Sequence, residues 1–502
     1  MSTSDVINSI ADGLQYISYF HPIDFITALD QAYKAEESVA AKDAIAQILV
    51  NSRMCAIGKR PLCQDTGIVV VFLKVGMNVS WQGDMSLQEM VDEGVRRAYS
   101  NPENPLRASI INDPAGSRQN TGDNTPAVVH TEIVVGDKVE ITLAAKGGGS
   151  ENKAKFVTLN PSDSIVDWVV KTLSTLGAGW CPPGILGIGI GGSAEKAMLL
   201  AKQSLMAPID IQTLLSDGAT TTTEQLRLDI YHEVNKLGIG AQGLGGLVTL
   251  LDVKVLDYPA HAASKPVALI PNCAATRHLH FVLDGNGPAI FTPPDISIWP
   301  KISLKDDGQT KLVNLDTLSK EEISRWKPGD SLLLSGHLLT GRDAAHKQIT
   351  HLIEQNKPLP VDFSGRFIYY VGPVDAVRDE VVGPAGPTTA SRMDKFTEPM
   401  LAQAGLWGMI GKAERGPEAI ASIKKHQAVY LIATGGAAYL VSKAIKSSKI
   451  VAFEELGMEA IREFEIVAMP VTVAVDTRGQ SIHEIGPRLW REKIQRVNLS
   501  KI

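Results

Sequence analysis

Apolar residues recur at three- and four-residue spacing between residues 5 and 53, through DVINSIADGLQYISYF and then ITALDQAYKAEESVAAKDAIAQILVNS. That period puts them on one face of successive helices, so the chain is expected to open as a helical layer. The pattern then changes: IVVVFLKV at 68–75 is a β-branched run and predicts a strand. Residues 128–145, VVHTEIVVGDKVEITLAA, alternate apolar and polar positions about a turn and predict a hairpin. Helical spacing returns at 163–176 and 194–206.

From 284 to 332 the pattern breaks down, first into the Gly- and Pro-rich DGNGPAIFTPPDISIWPK and then into the polar KDDGQTKLVNLDTLSKEEISRWKPGD. Such a stretch reads as a junction, dividing the chain into residues 1–285, a linker at 286–330 and residues 331–502. Beyond it, strand-like runs (SLLLSG, FIYYVGP, AVYLIAT, EIVAMPVTVAVD) alternate with helical ones (RDAAHKQITHLIEQ, ASRMDKFTEPMLAQA, GPEAIASIKKH). The expected fold class is α/β: a mixed α+β N-terminal domain and a smaller C-terminal α/β domain, its sheet covered by helices.

Composition narrows the function. The 502 residues are 44% hydrophobic and 21% charged, ordinary for a globular chain, and the net charge of −6 argues against a nucleic-acid partner. The N-terminus lacks a basic segment followed by an apolar core, and no run of 18 or more apolar residues occurs, so a cytoplasmic protein without a membrane span is expected. Four cysteines are too few for a disulfide framework. Cys55 sits in an apolar periodic run, whereas Cys63 (PLCQDTG), Cys181 (GWCPPG) and Cys273 (IPNCAATRH) sit beside Pro, Gly or polar residues, in turns. Three turn cysteines from distant segments suit a site that converges in space; inert burial is the alternative for each.

Other stretches carry chemistry. AAKGGGSENK at 144–153 offers consecutive backbone N–H groups to an anion, or is a loop. GIGIGGSAEKA matches G-x-G-x-x-G through Gly187, Gly189 and Gly192, with Asp210 or Asp217 as a distant acid, which keeps a nucleotide-dependent oxidoreductase in view. Arg342 in SGHLLTGRDAAHK, and Thr388, Thr389 and Arg392 in GPAGPTTASRMDKF, stand at helix starts suited to a carboxylate or phosphate, or serve as caps.

Taken in order, PLCQDTG, AAKGGGSENK, CPPG with IGGSAEKA, LGIGAQGLGG, the histidine of YPAHAASKPV and NCAATR resemble the iron–sulfur-dependent class I fumarase and tartrate dehydratase family. SGHLLTGRDAAHK, YYVGPV, GPTTASRMD, GKAER and ELGMEAI extend the resemblance through the C-terminal half, whose domain in this family is of a swivelling type. The two halves, separate subunits in some members, are fused here.

The resemblance implies a 4Fe–4S cluster on Cys63, Cys181 and Cys273, with Cys55 outside the ligand set and one iron open to substrate. It implies Thr388 as the proton-abstracting group assisted by Asp65, and substrate contacts from Gln64, Asp65, Arg107, Gly149, Asn152, Lys153, His261, Arg342, Thr388, Arg392 and Lys412. Two departures stand out: GKAER in place of an Ala-Lys-Gly-Asn-Arg pattern, which leaves the role of Arg415 open, and Ser391 where glycine is usual. The expected reaction is reversible hydration of fumarate to (S)-malate, with tartrate or mesaconate as same-class alternatives. A homodimer is the family's expectation. A redox sensor is the non-enzymatic alternative, and it leaves Arg107, Arg342 and Arg392 without a role.

Overall fold

The computed structural model describes residues 1–304 and 310–499; residues 305–309 of the expected junction lie outside them. Helices Thr3–Tyr19, Ile23–Ala35 and Val39–Gly58 open the chain as the periodicity predicts. Ser2 and Ser38 cap the first and third, each hydroxyl accepting from a first-turn backbone N–H. The third helix is buried on several sides, through Ala41, Ile45, Ile48, Asn51 and Cys55, because both halves of the molecule pack on it.

Strand Ile68–Gly76 enters a four-stranded sheet in the order His278–Leu283, Val139–Lys146, Ile68–Gly76, Val128–Val134. The expected hairpin at 128–145 does not form. Its two strands flank Ile68–Gly76, one parallel to it and the other antiparallel. The continuous β-branched run takes the central place, where Val69, Val71 and Leu73 meet Ile10, Leu14, Val91 and Val95 of helices Thr3–Tyr19 and Leu87–Tyr99. The alternating segment Val128–Val134 becomes the exposed edge.

A second four-stranded sheet runs Lys155–Leu159, Lys265–Asn272, Gly184–Gly191, Leu250–Tyr258. The GIGIGG stretch is largely the third of these strands. Helix Ala194–Ser204 crosses it so closely that a Cβ on Gly187 or Gly189 would run into the carbonyl oxygens of Ala201 and Ala197. Helix-on-strand packing accounts for these glycines, and the phosphate-loop reading loses its basis.

The C-terminal alternation holds in kind, but its seven-stranded sheet curls. Ile461–Val475 pairs with both Val429–Ile432 and Ser331–Thr340, closing five strands into a barrel around Leu334, Leu338, Phe367, Ile410, Leu431 and Val473. The sheet begins at Lys311–Asn314, inside the stretch expected as a linker. Helix Ile482–Leu499 then returns to the first half, with Lys493 Nζ 2.7 Å from the Glu37 carboxylate.

Buried polar groups lock the halves together. Arg60, fully buried, reaches Glu380 at 3.0 Å, Asn104 at 2.7 Å and Asp375 O at 2.7 Å. Asn51 donates to Leu62 O (3.1 Å) and Gly436 O (3.0 Å) and accepts from Tyr439 N and Leu440 N (both 2.9 Å). Removing one partner of a buried ion pair leaves the other charge uncompensated, at a cost of about 3–5 kcal/mol. Arg60→Ala is therefore expected to lower the thermal unfolding midpoint markedly. An unchanged midpoint would show that the seam is held elsewhere.

Candidate active site

Cys63, Cys181 and Cys273 come from three turns and line one cavity, with Trp180, Arg277, Lys412, Gly435 and Gly436. Cys63 lies between the left-handed Lys59 that ends helix Val39–Gly58 and strand Ile68–Gly76. Cys273 directly follows strand Lys265–Asn272. Cys181 precedes strand Gly184–Gly191 with φ 57°, a left-handed backbone. Such strain costs roughly 1–3 kcal/mol and persists only where surroundings impose it.

Those surroundings are visible. Cys181 O accepts from Ala274 N at 3.1 Å, tying two cysteine turns together. Gln242 donates to Pro182 O (3.0 Å) and Gly435 O (3.3 Å) and accepts from Gly435 N (2.9 Å), fastening the Cys181 turn to the C-terminal half. Cys55 is buried in its helix with Sγ facing Pro61 O at 3.6 Å, away from this cavity. Among the described residues no three His, Cys, Asp or Glu side chains converge on a single metal ion. The three thiols face a shared space instead.

Lys412 is partly buried, with Nζ 3.1 Å from Cys181 Sγ. Burial alone would lower its pKa, but Cys181, Cys63 and Cys273 hold it above the ordinary value. Burial pushes the Cys63 thiol up to about 11, against the pull of Arg277 and Lys412.

A second cavity of about 410 Å³ adjoins the first, since Gln64, Asp65, Gly149, Pro387 and Lys412 line both. Its other walls include Arg107, Asn152, Lys153, Lys155, Arg342, Thr388, Thr389, Ser391 and Arg392. Asp65 accepts from Gly148 N at 2.8 Å, at the start of the one-turn helix Gly148–Glu151. Burial would raise the Asp65 pKa, yet Arg107, Arg277, Lys412 and that N–H together hold it below the usual carboxylate range. The anion seated on the triple-glycine loop is thus a side chain of the protein. Gly149 comes so near Lys412 that a Cβ would lie 3.2 Å from Nζ.

Arg342 precedes helix Asp343–Glu354; burial first, and Arg107 second, push it down to about 10, so it stays cationic at neutral pH. Its Nε is buried without a hydrogen-bond partner. Arg107 donates to Gly372 O at 2.8 Å, and Arg392 pairs with Asp343 at 2.8 Å. Thr388 is held by its backbone, donating to Tyr370 O at 2.7 Å and accepting from Lys412 N at 3.1 Å. Among the described residues nothing hydrogen-bonds its hydroxyl.

His261 is the exception. It sits in the exposed turn between strands Leu250–Tyr258 and Lys265–Asn272, where its Nδ1 accepts from Ala263 N at 3.2 Å, and it lines neither cavity. A polar turn held by its own backbone keeps it at the surface. Conversely, Arg277, Ser150, Trp180 and the Gly435–Gly436 pair were not singled out from the sequence, although Arg277 ends the quoted NCAATR motif. Glu414 was also missed: it accepts from Ala178 N at 2.7 Å and joins the Lys412 loop to the Cys181 turn.

Two family models cover the chain: fumarate hydratase (Fumerase) matches residues 7–282 and the fumarase C-terminus matches residues 285–486. The chain belongs to the fumarate hydratase family. It is a hydro-lyase. The anaerobic class I fumarate hydratase of Escherichia coli (strain K12) is 31% identical, over 89% of this chain and 84% of its own length. Fumarate hydratase 2 of Leishmania major is 30% identical, over 93% of this chain and 84% of its own length. A putative L(+)-tartrate dehydratase subunit alpha of Methanocaldococcus jannaschii is 35% identical over 55% of this chain and 96% of its own length.

Class I fumarate hydratases are iron–sulfur enzymes. The residues present fit such a group. Three thiols open onto one cavity, and Arg277, also lining it and 3% exposed, has no hydrogen-bond partner for its Nε and Nη1. Thiolates are the usual ligands of iron–sulfur clusters, and unpaired donors suit the anionic assembly they form.

Two outcomes follow from this geometry. A Cβ on Gly435 would stand 2.5 Å from Cys181 Sγ and 3.0 Å from Gln242 Oε1. Gly435→Ala is expected to lower bound iron per chain, and a full iron complement would contradict the close approach. Separately, His346 Nδ1 donates to Arg342 O at 2.8 Å and so supports that arginine's backbone; burial pushes its pKa down to about 4. A depressed histidine is stabilising above the unfolded-state pKa of about 6.5. That contribution is lost as pH falls from about 6.5 through about 4, because the unfolded chain protonates first. His346→Gln is expected to flatten the acid limb of stability against pH over that window; an unchanged limb would reassign it.

Proposed function

We propose that the chain reversibly hydrates fumarate to (S)-malate in the cavity that Thr388 and Asp65 share with Arg107, Arg342 and Arg392. The observation that carries this reading is the union of a cationic cavity, sized for a small dicarboxylate, with the cavity lined by three cysteines. A 4Fe–4S cluster held by Cys63, Cys181 and Cys273, one iron lacking a protein ligand, would supply a Lewis acid toward the substrate hydroxyl and carboxylate.

The protein's own groups do the rest. Arg107, Arg342 and Arg392 bind the two carboxylates, the unpaired Arg342 Nε offering an open donor. Thr388 Oγ1 takes the proton from the carbon next to the hydroxyl-bearing one. A threonine can serve as this base only after its hydroxyl proton has left to solvent, and a strongly cationic setting, which Lys412 and Arg392 provide, stabilises that alkoxide form. Asp65, kept ionised and lining the same cavity, orients the reacting groups. As negative charge builds on the substrate carboxylate, the same arginines stabilise it without having to reorganise. A homodimer rests on the family resemblance alone.

Tartrate is the second reading. Thr389 and Ser391 place two hydroxyls on the cavity wall, where an additional substrate hydroxyl would find partners. Mesaconate fits less well, since its methyl group would find only Leu176 and Pro387 as larger apolar partners in a wall otherwise mostly polar and cationic. Fumarate is preferred because the relatives that match across both halves are named fumarate hydratases.

Steady-state rates on fumarate, (S)-malate, D- and L-tartrate and mesaconate are expected to favour the first pair. A kcat/KM for tartrate ten times that for malate would overturn the assignment. Thr388→Ala is expected to lower kcat by about 100-fold or more, the range of a lost acid–base group. Cys63→Ser is expected to abolish bound iron and activity together while Cys55→Ser leaves both intact; equal effects would mean a different ligand set.

A further inference from the structure

We propose that Arg277 donates hydrogen bonds to the iron–sulfur core itself, a positioning residue that retains the cluster and sets its reduction potential. This inference rests on the three-cysteine reading above. It starts from an imbalance. Arg60, Arg277 and Arg415 are the arginines buried most deeply among the described residues. Arg60 has Glu380, Asn104 and Asp375 O as partners; Arg415 has Asp394 and Thr397. Arg277 has neither an ion pair within 4.0 Å nor a partner for Nε or Nη1.

Burying an unpaired cation costs several kcal/mol, so an anion must complete the site. The backbone shows where that anion belongs. Arg277 O accepts from Ala145 N at 3.1 Å, and Thr276 Oγ1 donates to Cys273 O at 2.9 Å, so the turn that delivers Cys273 also delivers Arg277. The side chain lines the cavity of the three thiols, with Cys63, Cys181 and Cys273 in its wall. Lys412 is already committed to Cys181 at 3.1 Å. Arg277 therefore holds free donors on the Cys63 and Cys273 side.

Three thiolates around a 4Fe–4S core leave net negative charge, and the core's sulfides accept hydrogen bonds. A neighbouring cation favours the reduced, more negative state. Hydrogen bonds to cluster sulfurs act in the same direction and slow loss of the core.

The test uses the full chain purified without oxygen as wild type, Arg277→Lys and Arg277→Gln. Iron and sulfide are quantified, and the midpoint potential is read by redox titration with electron paramagnetic resonance. Wild type lacking iron and sulfide would sink the three-cysteine reading and this inference with it. With the cluster present, Arg277→Gln is expected to disfavour reduction about tenfold, or about 59 mV for one electron, and to retain less iron. Arg277→Lys, which keeps the charge but not the fork, is expected to lie between, and it decides the matter if Arg277→Gln holds no cluster. Wild-type iron content with an unmoved potential in the variants overturns the proposal, even if their thermal midpoints fall.

Discussion

An ammonium lies against a thiol at the centre of this molecule: Lys412 Nζ is 3.1 Å from Cys181 Sγ, and the two residues come from different halves of the chain. Neither charge state of that pair is tolerable alone in a buried setting, because an isolated ion there costs several kcal/mol. Arg277, with two unpaired nitrogens, adds positive charge in the same cavity. The protein has therefore gathered cations that its own carboxylates do not balance. On the function proposed above, what would complete the structure is anionic: thiolate-bound metal on one side, a dicarboxylate on the other.

That demand explains why both halves are needed. The N-terminal half delivers the cysteines, Asp65 and Arg107; the C-terminal half delivers Lys412, Arg342, Thr388 and Arg392. Their register is held by short contacts on every side of the cavity. Asn51 pins the Cys63 turn to Gly436 and Tyr439, Gln242 pins the Cys181 turn to Gly435, and Glu414 pins the Lys412 loop to Ala178. Gly435 then admits Cys181 Sγ where any Cβ would crowd it. Preorganisation here is a set of backbone hydrogen bonds to side chains, each too local to shift without moving a cysteine.

Much of this was legible as chemistry and little of it as topology. Turn cysteines beside Pro and Gly, and arginines at helix starts, announce ligand geometry because those residue types are otherwise costly or idle in such places. The hairpin at 128–145 was misread because alternation reports one exposed face and says nothing about which strand lies alongside; Ile68–Gly76 intervened. Glycines at 187 and 189 mimicked a phosphate loop because close helix-on-strand packing imposes the same absence of Cβ. His261 carried a motif resemblance but no burial signal, and it lies on the surface. Arg277 was hidden for the opposite reason: a lone arginine has no period, and only three-dimensional burial reveals that its donors are unfilled.

The same contacts bear on why the halves occupy one chain. The tartrate dehydratase subunit alpha relative aligns with 55% of this chain at 96% of its own length, so a chain comparable to the first half exists separately. Joining two modules makes their docking intramolecular, which raises effective concentration without any new contact. Here the tie is double: one connection joins strand His278–Leu283 to strand Lys311–Asn314, and helix Ile482–Leu499 crosses back so that Arg491 N and Pro487 O crowd Gly238 of the first half. The fusion thus holds Lys412 of one half against Cys181 of the other by an intramolecular tie.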